Sequence, residues 1–140
     1  MTDPPATGRA AARVLAVLGA GFVANGLWML TDAARFFTRV ASDTGAFNGH
    51  LVRDVGAAYT AAGVALLWAA RRPDARGPLA AVGGVFLGLH ALVHAVEAAT
   101  GALPASALAG DLPLVHLPAL VVAGLALHAL RPTPAPQVPR

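Results

Sequence analysis

The sequence predicts an all-α integral membrane protein, a bundle of four transmembrane helices with both termini cytoplasmic. Three observations lead there. Charged residues make up 12% of the chain and hydrophobic residues 56%, whereas a soluble domain carries about a quarter charged residues. So few charges cannot coat a water-facing surface. The apolar residues are gathered into runs of about 20, the length that crosses a hydrocarbon core. The charges that remain cap those runs, and every basic residue is Arg: Arg9, Arg13, Arg71, Arg72, Arg76, Arg131 and Arg140 on one side, Arg35, Arg39 and Arg53 on the other. That asymmetry puts both termini in the cytoplasm and the chain in the cell inner (plasma) membrane as a multi-pass protein. Arg arranged this way orients a membrane protein and forms no nucleic-acid-binding stripe.

The chain of 140 residues is one domain. Residues 1–12, with Pro and Gly, read as a disordered segment ahead of a membrane domain over 13–130. The first helix spans about 14–30. A cleavable signal peptide is the rival reading, but this run is longer than most signal h-regions and no small-x-small cleavage site follows it. Residues 31–48 connect, with Phe36, Phe37 and Phe47 beside Arg35 and Arg39, a composition suited to the headgroup region. Asp32 and Asp43 read as solvated loop charges. The second helix spans about 50–70. The third spans about 79–99, after Gly77 and Pro78, and a small-residue loop over 100–111 follows. The fourth spans about 112–130 with a kink at Pro118. The Pro-rich tail 131–140 reads as disordered.

Without a hydrophobic drive between helices in lipid, close approach through small residues must hold the bundle. The candidates are Ala16, Ala20 and Ala24; Ala58 and Ala62; and Gly84 with Gly88, the last pair also a candidate surface for a homo-oligomer or a membrane partner protein. Trp28 and Trp68, near helix ends, read as interfacial anchors.

Ionisable groups at membrane depth are costly and face a bundle interior. His90, His94 and Glu97 share one stripe of the third helix, within about 60° at 100° per residue. His50 and Asp54 open the second helix with Arg53 beside them, and His116 opens the fourth. Asn25 lies late in the first, and Tyr59 in the second can face the cluster. With alternating helix directions these groups all fall in the outer half of the bilayer. His128, near the cytoplasmic end, is excluded.

Two His four residues apart can share a metal ion. The expected ligands are His90, His94, Glu97, His116, Asp54 and His50, with Asn25, Arg53 and Tyr59 in support. Mixed imidazole and carboxylate suits zinc, iron, copper or manganese and does not choose among them. A metal-dependent oxidoreductase is one outcome, and a haem held by His pairs is a weaker one. The rival is a non-enzymatic membrane subunit or carrier whose polar network is structural or relays protons. The chain has no Cys, which removes thiolate sites and disulfides. No phosphate loop or dinucleotide fingerprint is present.

The runs NGHLVRDVGAAY (Asn48–Tyr59) and LHALVHAVEAA (Leu89–Ala99) resemble a pattern in small four-helix bacterial membrane proteins, loosely DoxX-like, over about the middle half of the chain. The resemblance implies the four-helix layout and weight on Asn48, His50, Arg53, Asp54, Gly56, His90, His94 and Glu97. It implies no particular activity.

Overall fold

The structure, a computed structural model, describes residues 6–42 and 44–131. The expected disorder of residues 1–5 and 132–140, and the place of Asp43, lie outside the described residues. Helices account for nearly all of what is described, and no strand occurs among the described residues. The elements are α1 (Ala6–Thr31), α2 (Ala33–Phe36), a π-helical turn π1 (Phe37–Ala41), α3 (Gly49–Arg71), α4 (Arg76–Thr100), α5 (Ala105–Asp111), a second π-helical turn π2 (Leu112–His116) and α6 (Leu117–Ala129).

Three helical rods are long and apolar enough to cross a membrane: Thr7–Thr31, Arg76–Thr100 and Ser106–Ala129. α3 has the length, at 23 residues, but His50, Arg53 and Asp54 make its first turns too polar to stand with the other three. α1 packs along α3, α3 on α4, and α4 on α6, while α1 and α6 meet only marginally.

Two boundaries differ from the sequence expectation. α1 is helical from Ala6 rather than from Val14, because Ala-rich sequence favours helix even where it is not apolar enough to look like a span. The loop expected over 100–111 contains α5, which runs through π2 into α6 as one rod. Gly101 ends α4 with a left-handed φ of 79°, a conformation that glycine adopts without Cβ strain. Pro104 then precedes the first turn of α5. The rod departs from regular α geometry over Leu112–His116, which contains Pro113 and ends two residues before Pro118. Proline has no N–H and its ring crowds the preceding turn, so the backbone widens locally. The N–H of Leu117 accordingly reaches Leu112 O, five residues back.

Small residues do bring helices together, through a different set from the one expected. A Cβ built on Gly26 would lie 2.5 Å from Gly56 O, and one on Gly63 would lie 2.7 Å from Gly19 O. Gly19 and Gly26 on α1 thus face Gly63 and Gly56 on α3, seven residues apart on each helix, and the two backbones run in near contact. Gly88 has open space around its Cα, and Ala20 and Ala24 are exposed. Ala62 is buried, and Gly84 approaches Val122. The core along this seam and its neighbours is apolar: Leu15, Phe22, Met29, Leu66, Leu87 and Val122 are all buried, and no polar or charged residue is fully buried among the described ones. The outer surface is apolar as well. Val82, Val85, Leu89 and Val96 on α4, with Leu114, Leu120 and Leu127 on the last rod, all stand exposed. An apolar surface on this scale marks a membrane-facing or partner-facing protein.

The end near the termini is tied by Arg76, which donates from Nε to Ala69 O and from Nη1 to Gly8 O, both at 3.2 Å. One side chain thereby stitches the start of α4 to the end of α3 and the start of α1, and Ala69 O is a carbonyl that the end of α3 leaves open.

Candidate functional site: a histidine–aspartate pair between α4 and α5

Asp111, the last residue of α5, points its carboxylate at α4. His94 Nδ1 and Asp111 Oδ2 are 2.7 Å apart. The two side chains are only 18% and 28% exposed, far less than those of the pairs Asp32–Arg35, His50–Asp54 and Arg72–Asp74. A carboxylate accepts and cannot donate, so with Asp111 ionised the hydrogen lies on Nδ1 and His94 Nε2 is left as the free ring nitrogen.

The pair extends inward through rings. His90, one helical turn below His94, sits edge-on to it with centroids 4.7 Å apart. Phe86, a further turn down, stacks on His90 at 5.7 Å and 24°. Tyr59 of α3 meets the His90 ring edge-on at 5.3 Å, and Phe22 of α1 closes the row against Tyr59 at 5.6 Å. The stripe His90–His94 thus faces the interior, as the spacing predicts, and Tyr59 faces the same cluster. The reason is the period of α4: its opposite side carries Val82, Val85, Leu89 and Val96, so the polar stripe turns toward α3 and the last rod.

The remaining expected ligands are dispersed. His50 and Asp54 make their own pair at 3.3 Å, with side chains 87% and 62% exposed, on the outside of α3. Arg53 folds back to donate from Nη1 to Gly49 O at 3.2 Å. Glu97 borders a separate small cavity of about 180 Å³ with Thr44, Gly45, Ala102 and Leu103. Asn25 donates from Nδ2 to Met29 Sδ at 3.9 Å, within α1. His116 lies in π2 with its Nε2 buried and without a hydrogen-bond partner. Among the described residues no three His, Asp or Glu side chains converge closely enough to hold a metal ion. Of the expected ligands on α4 and π2, His90, His94 and His116 each keep a ring nitrogen for a ligand.

Asn48 has a structural task. Its side-chain oxygen accepts from the backbone N–H groups of His50 and Leu51, both at 3.1 Å, which caps the start of α3. Part of the NGHLVRD run therefore specifies a helix start.

Asp111 is the member of this pair that the sequence reading passes over, because it stands at the end of what reads as a loop. Its signal was the chain order: Asp111 stands at the start of the helical stretch that turns back along α4, so its carboxylate falls at the level of His94. No protein family, curated protein or solved structure significantly matches this chain.

Proposed function

We propose that this chain is an integral membrane protein crossing the bilayer four times, with both termini cytoplasmic, and that it serves as a membrane subunit or carrier that takes up and releases a proton inside the membrane. The observation that carries the chemistry is the 2.7 Å contact of His94 Nδ1 with Asp111. A carboxylate on one ring nitrogen orients the imidazole, fixes its tautomer and stabilises the imidazolium that forms when the other nitrogen gains a proton. Ionisable groups in membrane segments commonly mark proton and ion pathways. His90 and Tyr59 continue the polar line from the pair toward the centre of the helices, and the Phe86 and Phe22 rings shield its sides.

Three apolar rods support the membrane assignment. α3 crosses as the fourth helix, with its polar first turns at the outer headgroup level. The Arg distribution supports the orientation, and the resemblance to small DoxX-like membrane proteins agrees with the same four-span layout. Reporter fusions at each terminus and in the segment between α4 and α5 test the orientation. Cytoplasmic termini and an outer α4–α5 segment are expected; the reverse pattern overturns it.

The function itself is tested in vesicles containing the purified protein and an enclosed pH-sensitive dye. Proton entry driven by an imposed potential is expected, with loss on His94→Gln.

A second reading is a metal site that His90, His94 and His116 would form by drawing closer together than they stand here, favoured by one observation: His116 Nε2 is buried with no partner. The Asp111–His94 contact would then be the carboxylate that orients a metal-bound imidazole through its far nitrogen. Elemental analysis and an absorption spectrum of untagged protein, beside the His90→Ala/His94→Ala variant, separate the readings. One zinc, iron, copper or manganese per chain, lost in the variant, favours the metal. A Soret band favours haem. Neither in either protein favours the proton reading.

A further inference from the structure

The outward face of α3 combines an ion pair with small residues along one stripe. His50, Asp54, Ala57, Ala61, Val64 and Trp68 are all exposed. They recur at steps of four and three, the spacing of a helix–helix seam, and fall within an arc of about 80° at 100° per residue. α4 presents lipid with branched apolar side chains at Val82, Val85 and Val96. This face offers lipid two small residues in mid-helix and an ion pair at one end, and it belongs to the long helix that is not apolar enough to stand beside the other three.

We propose that a second copy of this chain covers that face, giving a parallel two-fold dimer through α3. The proposal rests on the membrane reading above. Two features select a second copy as the occupant. In a two-fold contact each residue near the axis meets its own counterpart, and Ala57 and Ala61, four residues apart, let two such helices approach closely. The charges at the outer end are self-complementary: Arg53 and Asp54 are adjacent, so Arg53 of one copy faces Asp54 of the other. Arg53 has guanidinium donors to spare beyond the one given to Gly49 O. Gly84 and Gly88 are not needed for the contact.

The absence of Cys gives a clean test in native membranes. Single-cysteine variants Ala61→Cys and Val82→Cys are each treated with a mild oxidant. The expected result is a disulfide-linked product of twice the chain mass from Ala61→Cys and none from Val82→Cys, with the Ala61→Cys product lost when Ala57→Leu is added. Ala57, Ala61 and Val82 are all exposed, so none of the substitutions displaces a group inside the chain. No linkage at Ala61→Cys, equal linkage at Val82→Cys, or linkage to a species of another mass overturns the dimer. Retention of the chain in alkali-washed membranes is scored on the same samples, so failure of the membrane reading is seen separately.

Discussion

His94 on α4 and Asp111 at the end of α5 are joined at 2.7 Å across seventeen residues of chain. The contact closes the turn between α4 and the last rod, and it sets which nitrogen of His94 is free. Nitrogen-15 NMR of labelled histidine in detergent reads this directly. His94 is expected as the Nδ1–H tautomer when neutral, with that preference lost in Asp111→Asn. An Nε2–H tautomer in the unaltered protein would contradict the arrangement.

The same pair has a stability consequence. Removing one partner leaves a poorly solvated polar group unpaired, which costs about 1–3 kcal/mol. Asp111→Ala and His94→Ala are each expected to lower the thermal unfolding temperature in detergent. His50→Ala, which removes one member of a solvated pair, is expected to change it little. Equal losses in all three would show that burial does not distinguish the pairs.

The α1–α3 seam is open to a sharper test. Ala at Gly63 would bring a Cβ within 2.7 Å of Gly19 O and Val23 N, atoms of a neighbouring backbone that cannot step aside. Gly63→Ala and Gly26→Ala are expected to destabilise by about 1–3 kcal/mol through forced separation of the helices. Gly88→Ala meets nothing within 4 Å and is expected to be neutral, or stabilising by up to ~1 kcal/mol through helix propensity. The three variants are compared by thermal unfolding in one detergent.

The turn between α3 and α4 gives a pH prediction. Arg72 donates from Nε and Nη2 to the two oxygens of Asp74 at 3.3 and 3.1 Å, which holds the Asp74 carboxyl below its ordinary value and raises the Arg72 guanidinium. A carboxyl lowered on folding contributes stability above its unfolded pKa, and that contribution is lost as pH falls through the folded one. Both groups are fully exposed, so the effect on overall unfolding is slight. The sensitive readout is the Asp74 carboxyl resonance, expected to titrate below the usual aspartate range and to return to it in Arg72→Ala.

Much of the fold was legible because long apolar runs interrupted by a few polar residues carry strong signals. The apolar runs located the rods, and the spacing of His90 and His94 placed both on the inward stripe of α4. The interhelical seam was not legible. The chain has fifteen glycines and many alanines, so small-residue spacings abound, and only the crossing of α1 and α3 selects Gly19, Gly26, Gly56 and Gly63. The assignment of one depth to His50, Asp54, Glu97 and His94 followed from topology, but depth does not set azimuth: His50 and Asp54 face outward on α3, and Glu97 borders another cavity. Asp111 was missed for the converse reason. Alanine, serine and glycine around it read as a loop, yet the same residues form the helix that aims its carboxylate at His94.

Proton flux into vesicles is the most direct measure of the central claim. Purified protein, free of bound metal by elemental analysis, is reconstituted with an enclosed pH dye and driven by an imposed potential. Acidification is expected from the unaltered chain, abolished by His94→Gln, strongly reduced by Asp111→Asn, and unchanged by His50→Gln on the outward face of α3. Acidification no faster than in protein-free vesicles, or undiminished in His94→Gln, would contradict a proton-handling role for the His94–Asp111 pair.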